Sequence, residues 1–138
     1  LCLDPGQMVL RCSSWYLSEP IGLDDPEWFI NGVVWVTTDL SPLELLRRLL
    51  AIETRMGRKR TVKWGPRIID LDLLAFDQLV LKTEELVLPH PRADQRRFVL
   101  EPWAEIAPDY QHPVLKKTIL HLKEEREGCG QAVIRLED

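Results

Sequence analysis

Asp70 and Asp72 stand two residues apart inside the run Ile68 to Phe76, which is otherwise built from Ile, Leu, Ala and Phe. Composition and length predict a strand there. Side chains alternate along a strand, so both carboxylates project from one face and Leu71 points the other way. Two anions side by side on an apolar strand repel each other and lose hydration, a cost that a divalent cation between or beside them removes. A half-exposed edge strand with two aspartates on its wet face for solubility also satisfies the pattern. Either way, the fold must keep one acidic face open while covering the apolar side chains around it.

The residues just upstream sharpen the choice. Gly57-Arg58-Lys59-Arg60-Thr61-Val62-Lys63-Trp64-Gly65-Pro66-Arg67 supplies five cationic side chains, two glycines and one large aromatic. Groups that hold anions thus adjoin groups that hold a metal, as a site for phosphate and magnesium requires, because magnesium takes few carboxylates and completes its shell with water and phosphate oxygens. The whole chain carries a net charge of -4, which argues against a general nucleic-acid binder. Phosphate binding must come from local clustering. No Walker-type Gly-x-x-x-x-Gly-Lys-Ser/Thr is present, so a phosphoryl-transfer enzyme of this sequence lies outside the P-loop class.

With 138 residues and 45% hydrophobic content, the chain is read as a single domain, 1–138, with a real core. No apolar run reaches the roughly 20 residues that span a bilayer, and no membrane partner is expected. Cys2, Cys12 and Cys129 lack metal-ligand spacing and read as reduced thiols, which predicts a cytoplasmic setting. Met8 to Tyr16 and Asn31 to Thr38 read as strands. Ser41-Pro42-Leu43-Glu44 is a capping box that opens a helix with Leu43, Leu46, Leu50 and Met56 on one stripe and Gly57 as its stop. After the acidic strand come a tight Asp77-Gln78 turn and a short strand, Leu79 to Leu81. Leu115 to Glu127 reads as a helix and Ala132 to Leu136 as a closing strand. This order predicts an α+β sandwich.

Trp64-Gly65-Pro66-Arg67-Ile68-Ile69-Asp70-Leu71-Asp72, followed by Val87-Leu88-Pro89-His90-Pro91-Arg92 and Arg96-Arg97-Phe98-Val99-Leu100-Glu101-Pro102, resembles the 6-hydroxymethyl-7,8-dihydropterin pyrophosphokinase family of folate biosynthesis. The resemblance runs from about Cys12 to about Pro108. It implies transfer of pyrophosphate from ATP to the pterin alcohol with release of AMP, and two Mg2+ ions held by Asp70 and Asp72. It also implies a ferredoxin-like fold, a mainly antiparallel sheet with helices packed on it, one of them between Gln95 and Ile106 despite Pro102. Arg67 and the loop residues Arg58 and Arg60 would share the catalytic work with the aspartates. ATP contacts would fall to Glu53, Arg60, Trp64, Leu73, His90 and Arg96. The pterin would meet Ser18, Glu19, Ile21, Asn31 and Trp64, with Phe29 and Phe98 as the walls of its slot. Trp28 and Trp103 stand where the family has smaller or aliphatic residues, a departure that touches packing.

Taken alone, several of these residues have plainer uses. Phe29, Phe98 and Trp64 suit an ordinary core, Arg58, Lys59, Arg60 and Lys63 a solvated turn, His90 a rigid proline-bracketed turn, and Glu53 a solvated helix end. His112 and His121 match no motif and are read as structural. Two other functions share the same residues: a nucleotide-binding homologue without turnover, and a metal-dependent nuclease or nucleotidyl transferase. The expected partners are ATP and the dihydropterin, with no nucleic acid, and a monomer or homodimer. Family members begin with a strand and a long helix that Leu1-Cys2-Leu3-Asp4-Pro5 does not supply. The resemblance therefore predicts an N-terminally incomplete sequence, with roughly two dozen further residues before Leu1.

Overall fold

A computed structural model describes residues 7–19, 29–59, 71–128 and 132–136, with backbone alone at 7, 29 and 57–59. The first predicted strand divides into β1 (Gln7–Cys12) and β2 (Tyr16–Ser18), and the second into β3 (Phe29–Asn31) and β4 (Val34–Thr38). Both breaks fall at the same level, because β1 pairs antiparallel with β4 while β2 pairs antiparallel with β3. The hinge is tight. Ser13 N–H donates to the Val33 carbonyl at 2.9 Å, and Val33 N–H donates to the Ser13 hydroxyl at 2.8 Å. A Cβ on Gly32 would stand 2.9 Å from Ser13 Oγ and 3.3 Å from the Ser14 carbonyl, so this crossing needs a residue without a side chain.

The helix α1 (Pro42–Lys59) starts as the capping box requires, with Glu44 N–H donating to Ser41 Oγ at 3.3 Å and Ser41 N–H donating to Glu44 Oε1 at 3.1 Å. Gly57 does not stop it. Glycine in a helix costs only about 1 kcal/mol relative to alanine, too little to end an 18-residue helix unless the chain turns left-handed there. Leu45 is buried and Leu43, Leu46, Leu49, Ile52 and Met56 are half-buried, while Leu50, expected on the same stripe, is exposed.

The predicted acidic strand is the main correction. Ile68 to Asp70 lie outside the described residues, and Leu71 to Phe76 join no ladder. The backbone of this stretch bonds outside any ladder: the Leu74 carbonyl accepts from His90 N–H at 2.8 Å, and Leu71 N–H donates to the Glu53 carboxylate. Without strand neighbours nothing enforces the two-residue alternation: Asp72 is exposed, and Leu71 and Leu73 to Phe76 are all half-buried. The turn at Asp77-Gln78 forms, with Leu79 N–H donating to the Phe76 carbonyl at 3.0 Å and Asp77 at φ 51°, a left-handed position that aspartate tolerates. The strand after it is β5 (Leu81–Lys82), two residues later than expected at its start, and it pairs with β6 (Val87–Leu88).

A single 3-10 turn at Ala93–Gln95 leads into α2 (Arg97–Ile106), with Pro102 inside it. α3 is Ile119–Glu125, shorter than the predicted Leu115 to Glu127. Thr118 caps it by accepting from His121 N–H at 3.2 Å, and the residues before it are taken up by a turn on His112. That histidine is buried, and its Nδ1 accepts from Val114 and Leu115 N–H at 3.2 and 3.1 Å, a structural role. β7 (Val133–Arg135) closes on β2, giving the order β3-β2-β7. The core gathers Ala93, Val99, Leu100, Trp103, Ala104, Ile119 and Leu122, with Leu74, Ala75, Phe98 and Tyr110 against it. Trp103 stacks on Tyr110 with ring centres 5.8 Å apart, so its unusual size is used in packing. The α+β class holds, and the ladders among the described residues are antiparallel. Among the described residues these form three separate groups rather than one sheet.

Candidate functional site

His90 follows the cis Leu88–Pro89 peptide, between the end of β6 and the turn that starts α2. Its backbone bond to Leu74 holds it beside the segment that carries Asp72. Burial lowers the His90 pKa, and the nearby Arg96 and Arg92 add to this against the opposing pull of Asp72. The ring is therefore neutral at pH 7. Its Nδ1 accepts from Arg92 N–H at 3.2 Å, which leaves Nε2 as the donor. Arg96, just ahead of α2, lies with its guanidinium 5.6 Å from the Phe98 ring centre. Asp72, His90, Arg96 and Phe98 thus form one neighbourhood.

Phe98 links this group to the sheet, because the Asn31 side-chain amide donates to the Phe98 carbonyl. The other end of that amide is unpaired: Asn31 Oδ1 is buried without a hydrogen-bond partner, and so is the Ser18 hydroxyl. Ser18 and Asn31 lie on adjacent strands, with Ser18 opposite Phe29 and Asn31 opposite Tyr16. Buried polar atoms are nearly always satisfied, so two on adjacent strands make this face a candidate for contact with a ligand. Glu19 is otherwise engaged, its N–H and carboxylate both bonding to Ala132 at 3.0 and 2.6 Å.

At the far end of α1, the Glu53 carboxylate accepts from the N–H of Leu71, between the two aspartates. This ties the helix to the acidic segment. Leu73 is half-buried beside Asp72. Arg60, Trp64, Arg67, Asp70 and Ile21 lie outside the described residues, as do the side chains of Arg58 and Phe29. The donor set present fits magnesium, since Asp72 offers an exposed, hard carboxylate and magnesium needs only one or two. Among the described residues no group of three His, Cys, Asp or Glu gathers to cage a metal by protein alone.

Sequence reasoning missed Glu105. It stands seven residues after Phe98 on α2, two helical turns along the same face, and an acidic residue at that spacing on a packed helix was the available signal. Its carboxylate collects the Ser14 N–H and the Tyr16 hydroxyl.

The family model for 7,8-dihydro-6-hydroxymethylpterin-pyrophosphokinase matches residues 2–108. The 2-amino-4-hydroxy-6-hydroxymethyldihydropteridine pyrophosphokinase of Synechocystis is 50% identical over 125 residues, covering 91% of this chain and 64% of the relative. Proteins of the same name from Methylorubrum extorquens and Bacillus subtilis are 46% and 47% identical, covering 79% and 71% of this chain and 69% and 59% of their own lengths. The chain thus spans a little under two thirds of the Synechocystis protein. With a family match over most of its length and with the Asp72, His90, Arg96 and Phe98 neighbourhood in place, this chain belongs to the 7,8-dihydro-6-hydroxymethylpterin-pyrophosphokinase family.

Proposed function

We propose that the protein transfers the pyrophosphoryl group of ATP to the hydroxymethyl oxygen of 6-hydroxymethyl-7,8-dihydropterin and releases AMP. The observation that carries the reading is the meeting of an anion-handling group, Asp72, His90 and Arg96, with a slot edge of Phe98, Asn31 and Ser18 that has unsatisfied polar atoms. Phosphoryl transfer asks the protein for positioning and charge stabilisation rather than a nucleophile. Neutral His90 donates from Nε2 to a phosphate oxygen, and Arg96 adds a fixed charge next to it. Asn31 Oδ1 and the Ser18 hydroxyl meet the polar edge of the pterin, and Phe98 covers its ring.

Asp70 and Asp72 would hold two magnesium ions, which when bound offset the charge of the ATP phosphates. Arg67, Arg58 and Arg60 steady the transferring group, Glu53, Leu73 and Trp64 frame the nucleotide, and Glu19, Ile21 and Phe29 complete the pterin slot. We further propose that 1–138 is one domain of ferredoxin-like design. Among the described residues no helix is long and apolar enough to cross a membrane. An assay that supplies ATP, magnesium and the dihydropterin together, then omits each in turn, should release AMP only from the complete mixture. AMP release without the pterin would remove the reading.

A further inference from the structure

Tyr16 and Ser18 point the same way from β2, and both are buried, while Leu17 between them faces Ile30 and Ile134, which are exposed. β2 thus turns its Tyr16 and Ser18 face inward, and α2 packs against the strand. Glu105 fixes the contact. Its carboxylate accepts from Ser14 N–H at 3.1 and 3.0 Å, from the Ser14 hydroxyl at 3.2 Å and from the Tyr16 hydroxyl at 2.7 Å. Arg135 of β7 closes the group, 3.8 Å from Glu105 and 3.1 Å from the Ser14 hydroxyl. Two turns earlier the same helix receives the Asn31 amide on the Phe98 carbonyl. Asn31 is the ladder partner of Tyr16. α2 is therefore pinned to the β2/β3 pair at two points, and the residues with unsatisfied polar atoms, Ser18 and Asn31, lie on the strands so held.

We infer that Tyr16 and Glu105 are positioning residues for the pterin: they set the register of β2 against α2, and so the placing of Ser18 and Asn31 relative to Phe98, without touching substrate. This rests on the function proposed above. The pair is built for rigidity, because a carboxylate that collects several donors at one spot costs more to displace than a single neutral bond. A strand that slips by one residue presents the opposite face, which would turn Ser18 away. Asp72 and His90 belong to other segments, and Arg96, the residue just ahead of α2, keeps its place beside Phe98 on that helix while β2 shifts.

Steady-state kinetics on the full-length protein would test it, with wild type, Tyr16→Phe, Glu105→Gln and Glu105→Ala compared at temperatures where circular dichroism shows each folded. Losing one or more such bonds should raise the pterin KM about threefold in Tyr16→Phe and in Glu105→Gln, which keeps an acceptor, and about tenfold in Glu105→Ala. The ATP KM and kcat should stay within about twofold. A merely structural pair would lower the melting temperature and leave this split untouched. Unchanged pterin KM in folded Tyr16→Phe and Glu105→Gln, or equal rises in both substrates' KM, overturns the inference alone. A wild type without turnover overturns the function reading and the inference with it.

Discussion

Asp72 is exposed, so its replacement tests charge with little interference from packing. Asp72→Asn should cost about a hundredfold or more in turnover, as loss of a ligand to the metal that would stabilise developing charge does, and shift stability by less than about 0.5 kcal/mol. Turnover within about twofold of wild type at saturating magnesium would contradict its role. His112 makes a different prediction. Burial lowers its pKa, so the folded protein holds the ring neutral, with Nδ1 accepting two backbone N–H groups. A base whose folded pKa is depressed contributes stability that is full above its ordinary value near 6.5 and is lost as pH falls below it. His90 is shifted in the same direction. The urea midpoint should therefore drop as pH falls from about 7.5 to about 5, and His112→Asn should flatten that drop in part. Identical slopes for the two proteins would show that His112 does not contribute.

Elements that depend on neighbours in sequence were legible, and those that depend on distant partners were not. The capping box at Ser41 and Glu44 and the Asp77-Gln78 turn are set by local chemistry, and both form; the helix through Pro102 also forms, but only the family resemblance pointed to it. Ser41→Ala should cost about 1 kcal/mol in urea unfolding, and an unchanged midpoint would show that the reciprocal bonds carry no stability. Residues 71–76 fail as a strand for the complementary reason, since a strand exists only through a ladder and composition cannot supply its partner. The breaks at Ser13 and Gly32 are likewise invisible until the two strands meet, because the need for glycine arises from Ser13 across the crossing. Among the residues proposed for the site, His90, Arg96, Asn31, Ser18 and Phe98 were named from the family resemblance. Glu105 was not, because its partners are about ninety residues away in the chain.

At the scale of the molecule, the anion-handling group and the slot edge come from different parts of the chain. α1 reaches the acidic segment through Glu53, β6 and the turn after it bring His90, and α2 joins Phe98 to the sheet. An enzyme assembled in this way should bring two substrates to one place and move a diphosphate in a single step. The central claim is the transfer of a pyrophosphoryl rather than a phosphoryl group, and the nucleotide product reports it directly. The full-length protein, incubated with ATP, magnesium and 6-hydroxymethyl-7,8-dihydropterin and resolved by chromatography, should yield AMP and a pterin carrying two phosphates in equal amounts. Production of ADP with a singly phosphorylated pterin, or no pterin product at all, would contradict the account.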